Sequence, residues 1–185
     1  PGSDDNGGSS SVNRGAAYIF VRSGDDWTEA QKLVPADVGD DDFFGYSVDL
    51  AGDKALIGAA EADLHGQNNQ GAAYIFVRSG GVWAAGQKLT AADGAAEDQF
   101  GNSVAISGDR VLIGAFGGNS NTGDNPGAAY VFALLDGAWT QQQIVDFPYG
   151  AAGDRFGVSV ALSADVAIVG ADGVDRVRRE ESDRS

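Results

Sequence analysis

One hexapeptide, written three times, constrains this chain more than any other feature. Gly15-Ala16-Ala17-Tyr18-Ile19-Phe20 returns as Gly71 to Phe76 and again as Gly127-Ala128-Ala129-Tyr130-Val131-Phe132, 56 residues apart each time. Phe44-Gly45, Phe100-Gly101 and Phe156-Gly157 keep the same interval. So do Trp27, Trp83 and Trp139, and the Gly-Ala pairs that begin at Gly58, Gly114 and Gly170. Self-similarity at a fixed period marks a repeat architecture, in which a unit buries its apolar face only by stacking on its neighbours.

The local signals inside a repeat are those of short strands. Phe44, Tyr46, Val48 and Leu50 alternate with Gly45, Ser47 and Asp49, and the later copies run Phe100, Asn102, Val104, Ile106 and Phe156, Val158, Val160, Leu162. Ala51-Gly52-Asp53-Lys54 and Ser107-Gly108-Asp109-Arg110 then supply tight-turn chemistry into Ala55 to Ala59 and Val111 to Ala115. In the third copy Ala164 takes the place of the turn glycine, so that turn is expected to be slightly strained. Ala72 to Val77 reads as a third strand, and Ser79-Gly80-Gly81 turns into a fourth carrying Trp83 and Lys88-Leu89. No amphipathic helical stripe exceeds about two turns.

Four-stranded antiparallel units repeated head to tail are the sequence form of β-propeller blades, so the predicted fold class is all-β. Small residues such as Ser47, Ser103 and Ser159 let the inner strands crowd toward an axis, while Phe, Val, Ile and Leu on alternate positions fill the space between blades.

On these residues the chain resembles the FG-GAP repeat family, known from the N-terminal propeller of integrin alpha subunits and from bacterial surface and secreted proteins. The resemblance covers residues 15–171 and rests on Phe-Gly, then Ser-Val, then Gly-Ala, three times over. Ala60, Phe116 and Asp172 stand where the family usually has Pro, which only stiffens the exit from a strand. The resemblance implies an extracellular or cell-surface setting and a non-catalytic scaffold. It does not transfer the family's calcium loop between strands one and two, because Ala51-Gly52-Asp53-Lys54 and its equivalents are too short to hold it.

The phase of the repeat divides a propeller segment, 1–171, into a half-blade at 15–34, blades at 43–90 and 99–145, and a complementary half-blade at 155–171. That makes three blade-equivalents, fewer than the 4 to 8 of a closed ring. The open sheets are expected to be completed either by a second copy, giving a six-bladed homodimer, or by further blades of a longer chain. Pro1-Gly2-Ser3 without Met reads as a processed or excised start, and 172–185 as a charged, unstructured tail.

Charge narrows the partners. Asp and Glu number 27 against 12 Lys and Arg, a formal net charge of −15, so nucleic acid and anionic membranes are repelled. No apolar run reaches the roughly 18 residues of a membrane span. The absence of Cys removes disulfides, thiolate metal sites and Cys nucleophiles.

Alternating carboxylates before the first Phe-Gly, at Asp37, Asp40 and Asp42, suit Ca²⁺, which takes six to eight oxygens. The competing and favoured reading is that the last acid of each set, Asp42, Asp98 or Asp154, orders the turn into strand one. The loops between strands two and three differ completely between copies, so Glu61, Asp63 and His65 in one and Asn119, Asn121 and Asp124 in the other are candidate ligand contacts. His65 is the single His, which leaves almost no material for a Ser-His-Asp triad or a His-rich metal centre. Unique acids facing one pocket, as a glycosidase needs, are not evident. The three Trp could stack on sugars, but one position in every fourth strand favours packing between blades. The expected function is a non-enzymatic binding or adhesion scaffold presenting loops to a protein or glycan. The alternative is a structural or accessory propeller of a larger extracellular protein, a hydrolase among them.

Overall fold

The structure is a computed structural model that describes residues 13–117 and 126–174. Its strands are β1 (Ala17–Ser23), β2 (Asp26–Leu33), β3 (Phe44–Ala51), β4 (Lys54–Ala59), β5 (Ala72–Ser79), β6 (Val82–Leu89), β7 (Ser103–Ser107), β8 (Arg110–Ala115), β9 (Ala128–Leu135), β10 (Ala138–Asp146), β11 (Ser159–Ser163) and β12 (Val166–Gly170). No helix occurs among the described residues. β3-β4-β5-β6 and β7-β8-β9-β10 form four-stranded antiparallel meanders, while β1-β2 and β11-β12 are two-stranded hairpins. β4 pairs with β5 through Leu56 opposite Ile75 and Gly58 opposite Ala73, and β8 pairs with β9 in the same register.

Turn chemistry acts where the sequence put it. Gly52 and Gly108 turn β3 into β4 and β7 into β8 at φ of 60°, and Ala164 holds the corresponding position at φ 49°, in the left-handed region that disfavours a Cβ. In the second and third copies the first strand is shorter than its alternation suggests, starting at Ser103 and Ser159. There Phe100 and Phe156 leave the ladder to bridge in parallel to Gly71 and Gly127, as Phe44 does to Gly15.

The core lies between sheets rather than within one. Leu56 and Ile75 of the first meander share a buried cluster with Phe100, Val104, Ile106, Val111, Ile113 and Trp139 of the second. A matching cluster joins Leu33 and Val38 to Phe44, Ile57, Tyr74 and Trp83. Fully burying one such side chain is worth about 1.5–3 kcal/mol, so consecutive sheets hold each other. Phe44 meets Tyr74 edge-on at 5.5 Å and Phe100 meets Tyr130 at 5.3 Å, one aromatic corner per sheet.

Backbones approach closely at the repeated glycines. A Cβ at Gly58 would collide with the carbonyl oxygen of Gly101, and one at Gly114 with that of Gly157. Gly101 itself sits at φ 90° against the Ala72 carbonyl. The Ser47 hydroxyl donates to the Gly101 carbonyl at 2.8 Å, and Asn102 Nδ2 donates to the carbonyls of Gly157 at 3.2 Å and Val158 at 3.0 Å. The Phe-Gly carbonyl of one repeat is therefore the docking point for the sheet before it.

Each outer strand also carries a register break opposite the third strand, between Ile19 and Phe20, Tyr74 and Phe76, and Gln141 and Gln143. A bulge re-aims the side chain beside it. Gln31 thereby reaches the next sheet, its Nε2 donating to Trp83 O at 2.7 Å and its Oε1 accepting from Trp83 N at 2.9 Å. Gln87 repeats this two-point clasp on Trp139 at 2.7 and 2.8 Å.

Candidate functional site

Because the strands of each meander alternate in direction, the loops fall into two sets. The β4–β5 loop and the loops entering β3, β7 and β11 gather at one end, and the tight β3–β4, β7–β8 and β11–β12 turns lie at the other. Asp37, Asp40, Asp42, Glu61, Asp63 and His65 occupy the first end.

In the loop entering β3, the buried Asp42 accepts the Gly39 amide on Oδ2 at 2.6 Å. Asp98 and Asp154 do the same for Ala95 and Ala151, each at 2.7 Å, and both are buried. The last acid of every set therefore closes a turn, replacing a hydrogen bond the backbone would otherwise lack. Asp37 and Asp40 are exposed and point to separate partners: Asp37 Oδ2 meets Lys88 Nζ at 3.1 Å and Asp40 Oδ1 meets Arg14 Nε at 2.6 Å. Among the described residues no three His, Asp or Glu side chains group as metal ligands.

The repeats differ here in their charges. Lys88 lies 5.1 Å from the centre of the Tyr74 ring while it holds Asp37. Burial pulls the Lys88 ammonium down, but hydrogen bonding to Tyr74 and Asp37 outweighs it and holds the group above its usual value. Burial likewise raises the Tyr74 hydroxyl, against the pull of Lys88. The second repeat has Ile144 where the first has Lys88, and Gln70 where the first has Arg14. Its Asp98 carboxyl is pushed up to about 6, first by burial and then by the neighbouring charge of Asp93, against the lowering effect of the Ala95 amide. Burial also raises Tyr130, with Asp93 and Asp98 adding to it.

The β4–β5 loop is folded. Leu64 and Gln67 exchange two backbone hydrogen bonds around His65-Gly66, a tight turn with φ of 55° and 79°. Asp63 Oδ1 accepts the Asn69 amide at 2.8 Å, Ala62 is fully buried and Leu64 packs on the core. Asp63, His65, Gln67 and Asn68 remain exposed and Glu61 is half-buried. Asn69 Nδ2 donates to Glu97 Oε2 at 3.1 Å, linking this loop to the acid loop of the next sheet. Asn119, Asn121 and Asp124 lie outside the described residues.

Trp83 and Trp139 are buried between sheets, while Trp27, at the first hairpin, is exposed. At the tight-turn end a groove of about 530 Å³ runs between the second meander and the last hairpin, lined by Asp109, Arg110, Leu134, Leu135 and Asp165 and crossed by an Arg110–Asp165 pair at 3.0 Å.

Sheets that pack face to face, with the β4–β5 loop and the loops entering β3, β7 and β11 at one end, define the class, a run of β-propeller blades. The FG-GAP repeat family matches residues 27–76, 83–132 and 139–184, most of the chain, and the chain belongs to that family. No curated protein matches the chain. The functional contacts least evident from sequence are Gln31 and Gln87, whose partners are main-chain atoms. Their own 56-residue spacing, four residues after each Trp, was the available signal.

Proposed function

We propose that this chain is a non-catalytic binding or adhesion scaffold of an extracellular or cell-surface protein, offering its β4–β5 end to a protein or glycan partner. The observation that carries this reading is a division of labour. Trp83, Trp139, Gln31, Gln87, the Phe-Gly pairs and the turn Asp, all at positions that repeat every 56 residues, are spent on contacts between and within sheets, while His65, Gln67 and Asn68 repeat nowhere and stand exposed on a folded loop. A rigid frame with divergent exposed loops is the usual seat of recognition. The test is binding of the chain to glycan arrays and extracellular protein panels, beside a His65→Ala/Gln67→Ala double variant with an unchanged melt. The reading expects binding that the variant loses. Absence of binding at up to about 0.1 mM, or binding indifferent to the loop, defeats it.

The open sheets complete this scaffold. The free edges of β1 and β12 correspond to β5 and β4 of the whole sheet, which sets Ile168 opposite Ile19 and Gly170 opposite Ala17 in a completed blade. A second copy closing a six-bladed ring, or further repeats of a longer chain, supplies the partner edge. Sedimentation separates the two, since a homodimer doubles the mass.

A further inference from the structure

The β4–β5 loop is fastened to the loop entering β7 along a short junction. The amides of Glu97, Gln99 and Phe100 donate to the carbonyls of Asn68, Asn69 and Gln70 at 2.8, 3.0 and 3.0 Å, and Asn69 Nδ2 donates to Glu97 Oε2 at 3.1 Å. Asn69, Glu97 and Gln99 all take left-handed backbone, at φ of 51°, 66° and 55°, a conformation that persists only while surrounding contacts hold it. Asp98 sits within this junction, almost wholly buried. Its Oδ2 accepts the Ala95 amide at 2.7 Å and its backbone carbonyl accepts the Gly117 amide at 3.2 Å, while Oδ1 is buried without a hydrogen-bond partner.

The groups around that carboxyl give it no counter-charge. On its own loop stands Asp93, hydrogen-bonded with the Tyr130 hydroxyl of β9, and on β10 Ile144 lies opposite Tyr130 in the ladder. In the first repeat the position opposite Tyr74 is Lys88, whose ammonium holds Asp37 at 3.1 Å. The β4–β5 loop brings neutral Asn69 and Gln70 to the junction; its acids Glu61 and Asp63 add no positive charge, and its one base, His65, is exposed on its turn. Among the described residues no Lys or Arg pairs with Asp93, Glu97 or Asp98. An ionised Asp98 therefore carries its charge in a dry place near a second carboxylate, and it recovers water only if the junction opens.

We propose that Asp98 makes this junction a proton-controlled latch on the β4–β5 loop: protonated, it leaves the loop fastened to the next sheet, and ionised, it favours opening of the rungs at Glu97 and Gln99 to admit water. The carboxyl titrates near 6 in the closed junction against 3.8 as a free side chain, with burial as the first cause. The closed form thus binds the proton more tightly and gains as pH falls. From about pH 7.5 to about pH 5 the ratio of closed to open should rise about tenfold. For its use, though not for its operation, the latch rests on the recognition role proposed for the β4–β5 loop.

The test is amide hydrogen exchange, read by NMR on the full chain with no partner present, each rate divided by its intrinsic rate at the same pH. It needs no ligand, so its failure is separate from a failure of binding. In wild type the Glu97 and Gln99 amides should exchange by local opening, faster than the β8–β9 core amides, with protection about tenfold higher at about pH 5 than at about pH 7.5. Asp98→Asn removes the titration and should flatten this response. Ile144→Lys restores the cation of the first repeat and should flatten it too, by pairing the acids inside a closed junction. His65→Gln should keep the response, which separates the latch from the exposed imidazole. Protection that ignores pH in wild type, a response that survives in Asp98→Asn or Ile144→Lys or vanishes in His65→Gln, or junction amides that exchange only together with the core overturns the proposal. If Ile144→Lys fails to fold, the contrast between Asp98→Asn and His65→Gln decides alone.

Discussion

The second meander and the two ends of the chain are built from the same repeated positions, yet they bury them differently. Val104 and Ile106 on β7 are 8% and 5% exposed; their counterparts Val48 and Leu50 on β3 are 63% and 58% exposed. Trp83 and Trp139 are each 6% exposed, Trp27 66%; Leu56 and Leu112 are fully buried, and Ile168 is 66% exposed. Composition does not separate these residues. A neighbouring sheet does, because β7 meets β3 and β4 and also β11, whereas outside its own sheet β3 meets β7 and, only slightly, β1 of the first hairpin. A single sheet of this family thus has no interior of its own, and its stability is a nearest-neighbour property.

Three pairs of substitutions and one change of pH probe that contrast, in falling order of effect. Gly101→Val brings a branched side chain to φ 90° and into the Ala72 carbonyl and the Gly58 Cα, and is expected to cost on the order of 4 kcal/mol or more. Gly24→Val at the first hairpin, with φ 65° but open space around it, should cost only about 1–2 kcal/mol in the same urea melt. Ile106→Ala should lose about 2–5 kcal/mol, while Leu50→Ala stays within about 0.5 kcal/mol. Equal losses would mean that β3 is covered in solution. Gln87→Ala strips two hydrogen bonds from the Trp139 main chain and should cost about 1–3 kcal/mol. Gln143→Ala, at the exposed equivalent position, should leave the melt unchanged.

The smallest effect is in pH. Asp98 titrates near 6 when folded against 3.8 as a free side chain, with burial as the first cause. The folded state therefore holds the proton more tightly than the unfolded chain, and the penalty for the buried charge is present above about pH 6. In chelated buffer the melting temperature should rise by a few kelvin as pH falls from about 7.5 to about 5, and Asp98→Asn should flatten that rise. A rise of equal size in the variant would assign it to other groups.

Much of this arrangement was legible in the chain. The period gave the strand order, the tight turns and the strain at Ala164, because these depend on residues adjacent in sequence. The turn role of Asp42, Asp98 and Asp154 was legible for the same reason, as each accepts an amide three residues earlier. The Phe-Gly glycines stood out in the sequence only as part of the repeated motif, but each has a specific requirement: positive φ together with the carbonyl of a neighbouring segment. Three-dimensional separation hid the rest. Arg14 meets Asp40 across 26 positions and Lys88 meets Asp37 across 51. No local pattern reveals that these cations serve the acid loop, nor that Ile144 and Gln70 leave the next loop without them.

The clasp of Gln31 on Trp83 and of Gln87 on Trp139 joins residues 52 apart in both cases, and the Ser47 and Asn102 contacts to Phe-Gly carbonyls join residues 54 and 55 apart. Each copy thus carries both halves of its own coupling. A gene that duplicates one such stretch in frame produces a segment that already fits its parent, so the array lengthens by copying, with no new surface to invent. A duplication one residue longer or shorter within a strand would turn the coupling residues to the wrong face.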